Sequence, residues 1–128
     1  MPKKQIITPA SMAASSSPLS PGTRFGNLVF VSGQVAHDSA GKLVVGGIEE
    51  QTRQTLENLK AVLAAAGCAM NDVLRTTCYL KDINDRPAFN AVYARYFPDN
   101  RPARSSFQVA NLGPSVLIEI EAIAGIPD

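Results

Sequence analysis

The sequence is poor in the residue types from which metal centres and nucleophile–histidine sites are built. Its 128 residues include two cysteines, one histidine and no tryptophan. Cys68 and Cys78 lack the CxxC spacing of a redox or zinc motif and are too few for a secreted disulfide scaffold, so buried free thiols are predicted. No Ser/His/Asp or Cys/His constellation surrounds His37, which is predicted to lie on the surface. A metal-ligand cluster and a Gly-rich phosphate loop are also absent.

The chain also lacks a dominant charge and a long apolar run. Twelve basic and eleven acidic residues leave a formal net charge of +1. This balance gives no broad electrostatic footprint for nucleic acid or a membrane surface, so an RNA activity would need a local basic patch. No apolar run approaches the roughly 18 residues of a membrane span. We predict a soluble protein with no membrane partner and, from its length, a single domain over residues 1–128.

Hydrophobic periodicity predicts six strands and two helices. In chain order these are strands at Lys3–Thr8, Leu28–Ser32 and Lys42–Val45, a helix from about Glu49 to Ala66, a strand at Val73–Leu80, a helix from Pro87 to just before Pro98, and two strands within Arg101–Gly125 joined by a turn at Gly113–Pro114. The second and third strands are predicted to form a hairpin. The loop from Pro9 to Gly22 is long enough to suggest a functional or mobile segment.

This order of elements predicts an α+β fold in which both helices pack on one face of a mixed six-stranded sheet. The other face would then expose several apolar side chains, including those on one side of the strand Val73–Leu80. A patch of that kind is larger than a monomer usually tolerates. Self-association is therefore predicted, although the pattern alone does not fix the number of subunits.

The last two strands carry the candidate site residues. Alternation in the final strand puts Glu119 and Glu121 on one face, opposite an apolar face made by Ile118, Ile120, Ala122 and Ala124. Arg104, Ser106 and Gln108 share one face of the preceding strand. If the two polar faces lie on one side of the sheet, a cation and a carboxylate flank one pocket. Arg104 could then bind a substrate carboxylate through two parallel hydrogen bonds, or form a structural ion pair with Glu119 or Glu121.

The segments PARSS at 102–106 and IEIEAIA at 118–124 resemble the signature of the Rid/YjgF family, the reactive-intermediate enamine/imine deaminases. Further segments agree in order and spacing: GNLVFVSGQ at 26–34, QTRQTLENLKAVLAAAG at 51–67, TTCYLKDIND at 76–85 and FNAVYARYF at 89–97. The resemblance covers nearly the whole chain. It implies a chorismate-mutase-like fold, a homotrimer with three clefts between subunits, and a cytoplasmic location.

The resemblance also implies the chemistry: hydrolysis of a reactive 2-imino acid or its enamine tautomer to a 2-oxo acid and ammonia. Arg104 corresponds to the residue that binds the carboxylate, and Glu119 to the carboxylate that positions the attacking water. Ser32 and Gly33 correspond to positions that line the cleft, and Asn90 to a contact from the second helix. Without the resemblance, Ser32 is a small residue at a strand end and Asn90 a solvated helix residue. No cofactor is expected, because a protonated imine is already electrophilic.

Two positions depart from the family pattern. Ser106 replaces a cysteine whose main-chain groups hold the substrate nitrogen, and serine supplies the same groups. Leu19 replaces a site tyrosine, which predicts a more apolar pocket suited to a larger or less polar substrate side chain. Glu121 receives no catalytic role, but it could perturb Glu119 or lie at an interface.

Two other functions stay open at the level of sequence. One is a ribonuclease or translation inhibitor, an activity ascribed to some relatives, against which the balanced charge and the lack of a histidine pair argue. The other is a non-catalytic regulatory module that binds small carboxylates in the Arg104 cleft.

Overall fold

The computed structural model describes all 128 residues and contains one six-stranded sheet with two helices. The strands are β1 (Gln5–Ile7), β2 (Gly22–Phe25), β3 (Leu28–Gln34), β4 (Val73–Leu80), β5 (Ala103–Gln108) and β6 (Ile118–Gly125), and the helices are α1 (Ile48–Ala65) and α2 (Arg86–Tyr96). The strand order is β1-β2-β3-β6-β4-β5, and only β4 and β5 run parallel. The mixed sheet and its two helices are therefore as predicted.

The N-terminal hairpin differs from the prediction. β3 pairs with β2, not with 42–45, and the two strands are joined by a turn at Gly26 and Asn27. Gly26 has a φ of 61°, a value that two-residue hairpin turns require and glycine adopts at little cost. The segment 42–45 forms only an isolated bridge between Leu43 and His37. The predicted hairpin was wrong because this segment is short and Val45 lies in solvent, where a strand has nothing to pack against.

The helices bury the stripes that their spacing predicts. α1 begins and ends within one residue of the predicted bounds, and Gly67, at a φ of 83°, follows it. The buried residues of this helix are Gln51, Thr52, Thr55, Leu56, Leu59, Val62 and Leu63, and those of α2 include Phe89, Val92 and Tyr93. α1 packs against the apolar face of β6, which is buried as predicted, and α2 packs beside α1. Neither helix combines the length and apolar character needed to cross a membrane.

Both cysteines are buried free thiols, as predicted. Burial raises the pKa of the Cys78 thiol to about 11. Because the thiolate is the reactive form of cysteine, this residue is chemically quiet at neutral pH.

The two C-terminal strands are joined in sequence but do not pair with each other. β4 lies between them, antiparallel to β6 and parallel to β5. A parallel neighbour needs a crossover connection, and α2 provides it between β4 and β5. β5 is consequently an edge strand, with one side free of strand pairing.

The face of the sheet opposite the helices is uncovered and apolar. Phe25, Phe30 and Phe107 are 55%, 41% and 43% exposed, and Leu28 is 44% exposed. β4 departs from the predicted alternation, because an irregularity between Val73 and Arg75 leaves Val73 buried. Leu74, at the irregularity, is instead 53% exposed and lies beside Gly125, so β2, β3, β4 and β5 all contribute exposed apolar side chains.

Candidate functional site

Glu119 lies near the start of β6. It is beside Gly33, at the position where β3 is irregular. The register between β3 and β6 shifts between Val31 and Gln34, which places Gly33 at the irregular position. A Cβ atom at Gly33 would lie 2.9 Å from the Glu119 Cδ and closer still to Oε2. Only glycine therefore leaves room for this carboxylate against the strand.

Burial raises the pKa of Glu119, and the nearby charge of Glu121 raises it further. Both carboxylates lie on the uncovered side of β6 and are two residues apart. The Tyr79 hydroxyl donates to Glu121 Oε1, and Tyr79 is also the register partner of Glu119 on β4. This hydrogen bond holds the Glu121 carboxylate near Glu119, where its charge raises the pKa of Glu119. Perturbation of Glu119 is one of the two roles that the sequence left open for Glu121.

A loop at residues 8–21 forms one wall of a cleft next to Glu119. Ser32 anchors this loop to β3, because its Oγ donates to the Ser20 carbonyl over 2.6 Å and its amide donates to the Pro21 carbonyl over 2.9 Å. The cleft has a volume of about 830 Å³, and Gly33, Leu19 and Glu119 all line it. Only six of its 23 lining residues are hydrophobic. Leu19 is one of these six and is 55% exposed, so the more apolar pocket expected from this residue stays a prediction.

Arg104 projects from the edge strand β5 towards α2. Its Nη1 donates to Asn90 Oδ1 over 2.9 Å, so two predicted site residues are in direct contact. The guanidinium carbon lies 4.8 Å from the centre of the Tyr93 ring and 5.3 Å from that of Phe89. Cation–π contact and one hydrogen bond orient the group, and its other N–H donors remain available to a ligand. The structure thus excludes the alternative of an ion pair with Glu119 or Glu121 within the chain.

Ser106 follows Arg104 on the same face of β5, and its carbonyl accepts a hydrogen bond of 2.9 Å from Arg86 Nη2. Arg86 begins α2 and reaches back across the strand, a contact that no local pattern signals. The guanidinium of Arg86 therefore holds the main chain around Ser106 in place.

These residues form two separate groups on opposite faces of the sheet. Thr76 is the register partner of both Arg104 and Ala122, and Ala122 is buried beneath the helices, so Arg104 lies on the helix side. Tyr79 is the partner of both Glu119 and Phe107 on the uncovered side. The condition for a cation and a carboxylate to flank one pocket within a chain is therefore not met. Arg104 and Glu119 pair with Thr76 and Tyr79 of β4, which are three residues apart and point to opposite faces.

Other chemistry-bearing residues add no competing site. No three His, Cys, Asp or Glu side chains come together in a way that could hold a metal ion. His37 is exposed, as predicted, and its carbonyl accepts from Asn58 Nδ2. Asn58 and Gln54 of α1 line the cleft beside the loop, and neither was predicted, because nothing in the sequence brings α1 to this loop.

Comparisons with known proteins agree on one family. A family profile described as Endoribonuclease L-PSP matches residues 9–126. A RutC family protein of Pyrococcus horikoshii is 47% identical over 94% of this chain and 97% of its own length. The human 2-iminobutanoate/2-iminopropanoate deaminase is 40% identical over 94% of this chain and 89% of its own. The crystal structure of a Rid family protein from Yersinia pestis superposes with a TM-score of 0.92 at 36% identity, covering 97% of this chain and all of that one.

Proposed function

The chain belongs to the Rid/YjgF family, and from that premise we propose that it hydrolyses reactive 2-imino acids to 2-oxo acids and ammonia. The observation that carries the proposal is the surroundings of two charged side chains, Arg104 and Glu119. Arg104 is oriented by Asn90 and two aromatic rings, and its other N–H donors remain available to a ligand. Glu119 is half-buried with a raised pKa, which suits a group that must both accept and return a proton near neutral pH.

The two groups act together in a homotrimer, in which each cleft takes Glu119 from one subunit and Arg104 from its neighbour. Two observations support this assembly. Within a chain the groups face opposite sides of the sheet, so neither is a complete site. The uncovered face, with three phenylalanines more than 40% exposed, is the kind of surface that association buries.

In the proposed reaction Arg104 binds the substrate carboxylate, and main-chain groups around Ser106 hold the imine nitrogen. Glu119 takes a proton from a water molecule as the water oxygen bonds to the imine carbon. Glu119 then returns the proton to the nitrogen of the resulting carbinolamine. The C–N bond breaks as the hydroxyl oxygen forms the carbonyl double bond, and the hydroxyl proton passes to the departing ammonia, which leaves as ammonium. Ser32 and Gly33 hold the loop and leave room for the carboxylate, Leu19 contacts the substrate side chain, and Asn90 keeps Arg104 in position.

The test is a coupled assay in which an amino-acid oxidase generates imino acids with small, branched and aromatic side chains. Ammonia release is followed with and without the protein. Faster release with the protein is the expected result. If no substrate showed faster ammonia release, the proposed function would be rejected. Tight binding of 2-oxo acids without faster release would identify a carboxylate-binding module instead.

A ribonuclease activity has one structural feature in its favour. Arg53, Lys60 and Arg95 line a groove of about 410 Å³ between α1 and α2, a local basic patch on a nearly neutral protein. His37 is not part of that groove. RNA cleavage that persists at constant specific activity after repurification in high salt would support this second function.

Replacing Glu121 should change the pH dependence of the reaction. Glu121→Gln removes a neighbouring negative charge that raises the pKa of Glu119, so that pKa falls. The acidic limb of the kcat/KM profile is therefore expected to move to lower pH, with the plateau little changed. Glu49→Gln, at an exposed acid in the first turn of α1, is the matched control and should leave the limb in place. If the acidic limb of Glu121→Gln coincided with that of the unaltered protein, the charge of Glu121 would have no effect on the pKa of Glu119.

A methyl group at Gly33 should displace the Glu119 carboxylate. Gly33→Ala is expected to lower kcat by about ten- to a hundredfold, because small misplacements of a reacting group are costly. Gly47→Ala is the control, since a Cβ atom there meets nothing closer than 3.8 Å. Circular dichroism and melting temperature should stay close to those of the control, which separates displacement of Glu119 from unfolding. Equal kcat values for the two variants would show that Glu119 has room to move.

A further inference from the structure

The main chain of Ser106 faces the free edge of the sheet. Just beyond β5, the Val109 amide donates to the Leu80 carbonyl over 2.9 Å, so Val109 turns its main chain towards β4. The main-chain groups of successive residues in a strand point to alternate sides, which places those of Ser106, three residues earlier, on the other side. β4 is the only strand beside β5. The N–H and C=O groups of Ser106 therefore lie on the side that has no neighbouring strand, where a ligand can reach them.

Arg86 supplies a donor to this carbonyl. Its Nη2 donates to the Ser106 oxygen over 2.9 Å, in a partly buried contact between residues 20 positions apart. The planar guanidinium fixes the direction of the bond, so the carbonyl is held in one orientation although no strand pairs with it. A carbonyl oxygen has two lone pairs. One acceptor position therefore remains for the N–H group of a ligand.

One face of α2 holds the two ligand-facing groups of β5. Arg86 and Asn90 are one turn apart on the helix, and Arg104 and Ser106 are two residues apart on one face of the strand. Both spacings correspond to about 6–7 Å. Asn90 accepts from Arg104 Nη1, and Arg86 donates to the Ser106 carbonyl. The helix therefore sets the position of the carboxylate-binding guanidinium relative to that of the Ser106 main chain.

The fold alone gives little reason for an arginine at the start of α2. The Nε atom of Arg86 is buried and has no hydrogen-bond partner. A buried donor without a partner costs free energy, which offsets much of what the bond to Ser106 contributes. An apolar side chain at this position would avoid that cost. The arginine is better explained by what it does to the Ser106 carbonyl.

We propose that Arg86 is a positioning residue of the subsite for the imine nitrogen, where it holds the Ser106 carbonyl as the acceptor for the substrate N–H group. The inference rests on the proposed function, because it takes the main chain of Ser106 as the group that holds this nitrogen. Arg86 exchanges no proton and contacts no reacting atom. Its effect is that the site distinguishes an N–H group from an oxygen atom in the same place, which separates the imine substrate from the 2-oxo acid product.

The binding experiment compares two planar carboxylates that differ in one group. Pyrrole-2-carboxylate has an N–H group on the carbon that bears the carboxylate, as the imine does, whereas 2-furoate has an oxygen atom there. The calorimetric Kd of pyrrole-2-carboxylate is expected to be about two- to tenfold lower than that of 2-furoate, the range for one net hydrogen bond. Arg86→Met should bring this ratio close to one and leave the Kd of 2-furoate unchanged, because Arg104 still binds the carboxylate. Arg95→Met, at an exposed arginine in the last turn of α2, should preserve the ratio.

Steady-state kinetics provides the second measurement. Arg86→Met should lower kcat for ammonia release by about tenfold, because a misplaced imine carbon reacts slowly, and KM should change less than kcat. Arg86→Lys keeps a charged donor without the planar fork, so it should recover part of kcat and give an intermediate Kd ratio. Melting temperature and light scattering show whether each variant is folded and assembled. Should Arg86→Met not fold, Arg86→Lys decides the inference, and a Kd ratio equal to that of the unaltered protein would reject it.

The outcomes separate this inference from the proposed function. An unchanged Kd ratio in Arg86→Met, or no preference for pyrrole-2-carboxylate in the unaltered protein, would overturn the inference and leave the proposed function standing. Weaker binding of both carboxylates by Arg86→Met would also overturn it, since Arg86 would then bind the carboxylate itself. If the unaltered protein did not speed ammonia release, the proposed function would be rejected. The Kd ratios need no turnover and would still decide the role of Arg86.

Discussion

Glu119→Gln is expected to slow imine hydrolysis by about two to four orders of magnitude, the usual scale for losing a general base. The amide matches the carboxylate in shape and fits the same space beside Gly33. It cannot take a proton from the attacking water at neutral pH. Affinity for a 2-oxo acid should change little, because Arg104 is unaltered and lies on the other face of the sheet.

The measurements are kcat for imine hydrolysis and calorimetric Kd for the 2-oxo acid product. Glu121→Gln is the matched control, because it removes a carboxylate from the same face of the same strand. A parallel fall in binding and turnover for Glu119→Gln, with a change in molecular mass by light scattering, would mean that Glu119 holds an interface together.

Arg104→Lys is expected to raise KM by about ten- to a hundredfold, since charge-assisted hydrogen bonds contribute about 1.5–3 kcal/mol. Lysine keeps the charge but loses the planar fork that binds a carboxylate through two parallel bonds. It also loses the group that lies against Tyr93 and Phe89 while bonding to Asn90. The side chain is exposed at the end of an edge strand, so the fold should survive.

Steady-state kinetics with one imino acid measures this effect, and light scattering checks that the assembly is intact. Arg95→Lys, an exposed arginine at the end of α2, is the control for the chemical change alone. If Arg104→Lys matched this control in KM, Arg104 would have a structural role and the carboxylate would be bound elsewhere.

Local patterns were sufficient for most elements of the fold. The alternation in β6 correctly divided Ile118 and Ile120 from Glu119, and the spacing in α1 gave its buried stripe and bounds. The predicted hairpin across Asp38–Gly41 is wrong, because β3 pairs instead across the tighter Gly26–Asn27 turn. Both turns have plausible local chemistry. The deciding factor is burial, since Gly22 of β2 is buried against Val62 of α1, while Val45 is 96% exposed.

Candidate site residues could be named from the sequence, but their arrangement in space could not. Arg104 and Asn90 were both identified, and their contact is consistent with the predicted role of each. Their position opposite Glu119 depends on which strand lies between β5 and β6, a non-local choice that neither segment encodes. The lining of the cleft could not be predicted for a similar reason. Its lining comes from the loop, β3 and α1, and only the folded chain brings Gln34 and Gln54 to the same cleft.

The placement of Arg104 and Glu119 on opposite faces has a genetic consequence in the proposed trimer. Each cleft combines the cation of one copy with the carboxylate of the next. Copies that lack the cation and copies that lack the carboxylate are each inactive alone, yet any ring that mixes them contains a cleft with both groups intact. Two loss-of-function alleles of one gene would therefore complement each other, whereas two alleles damaged in the same group would not.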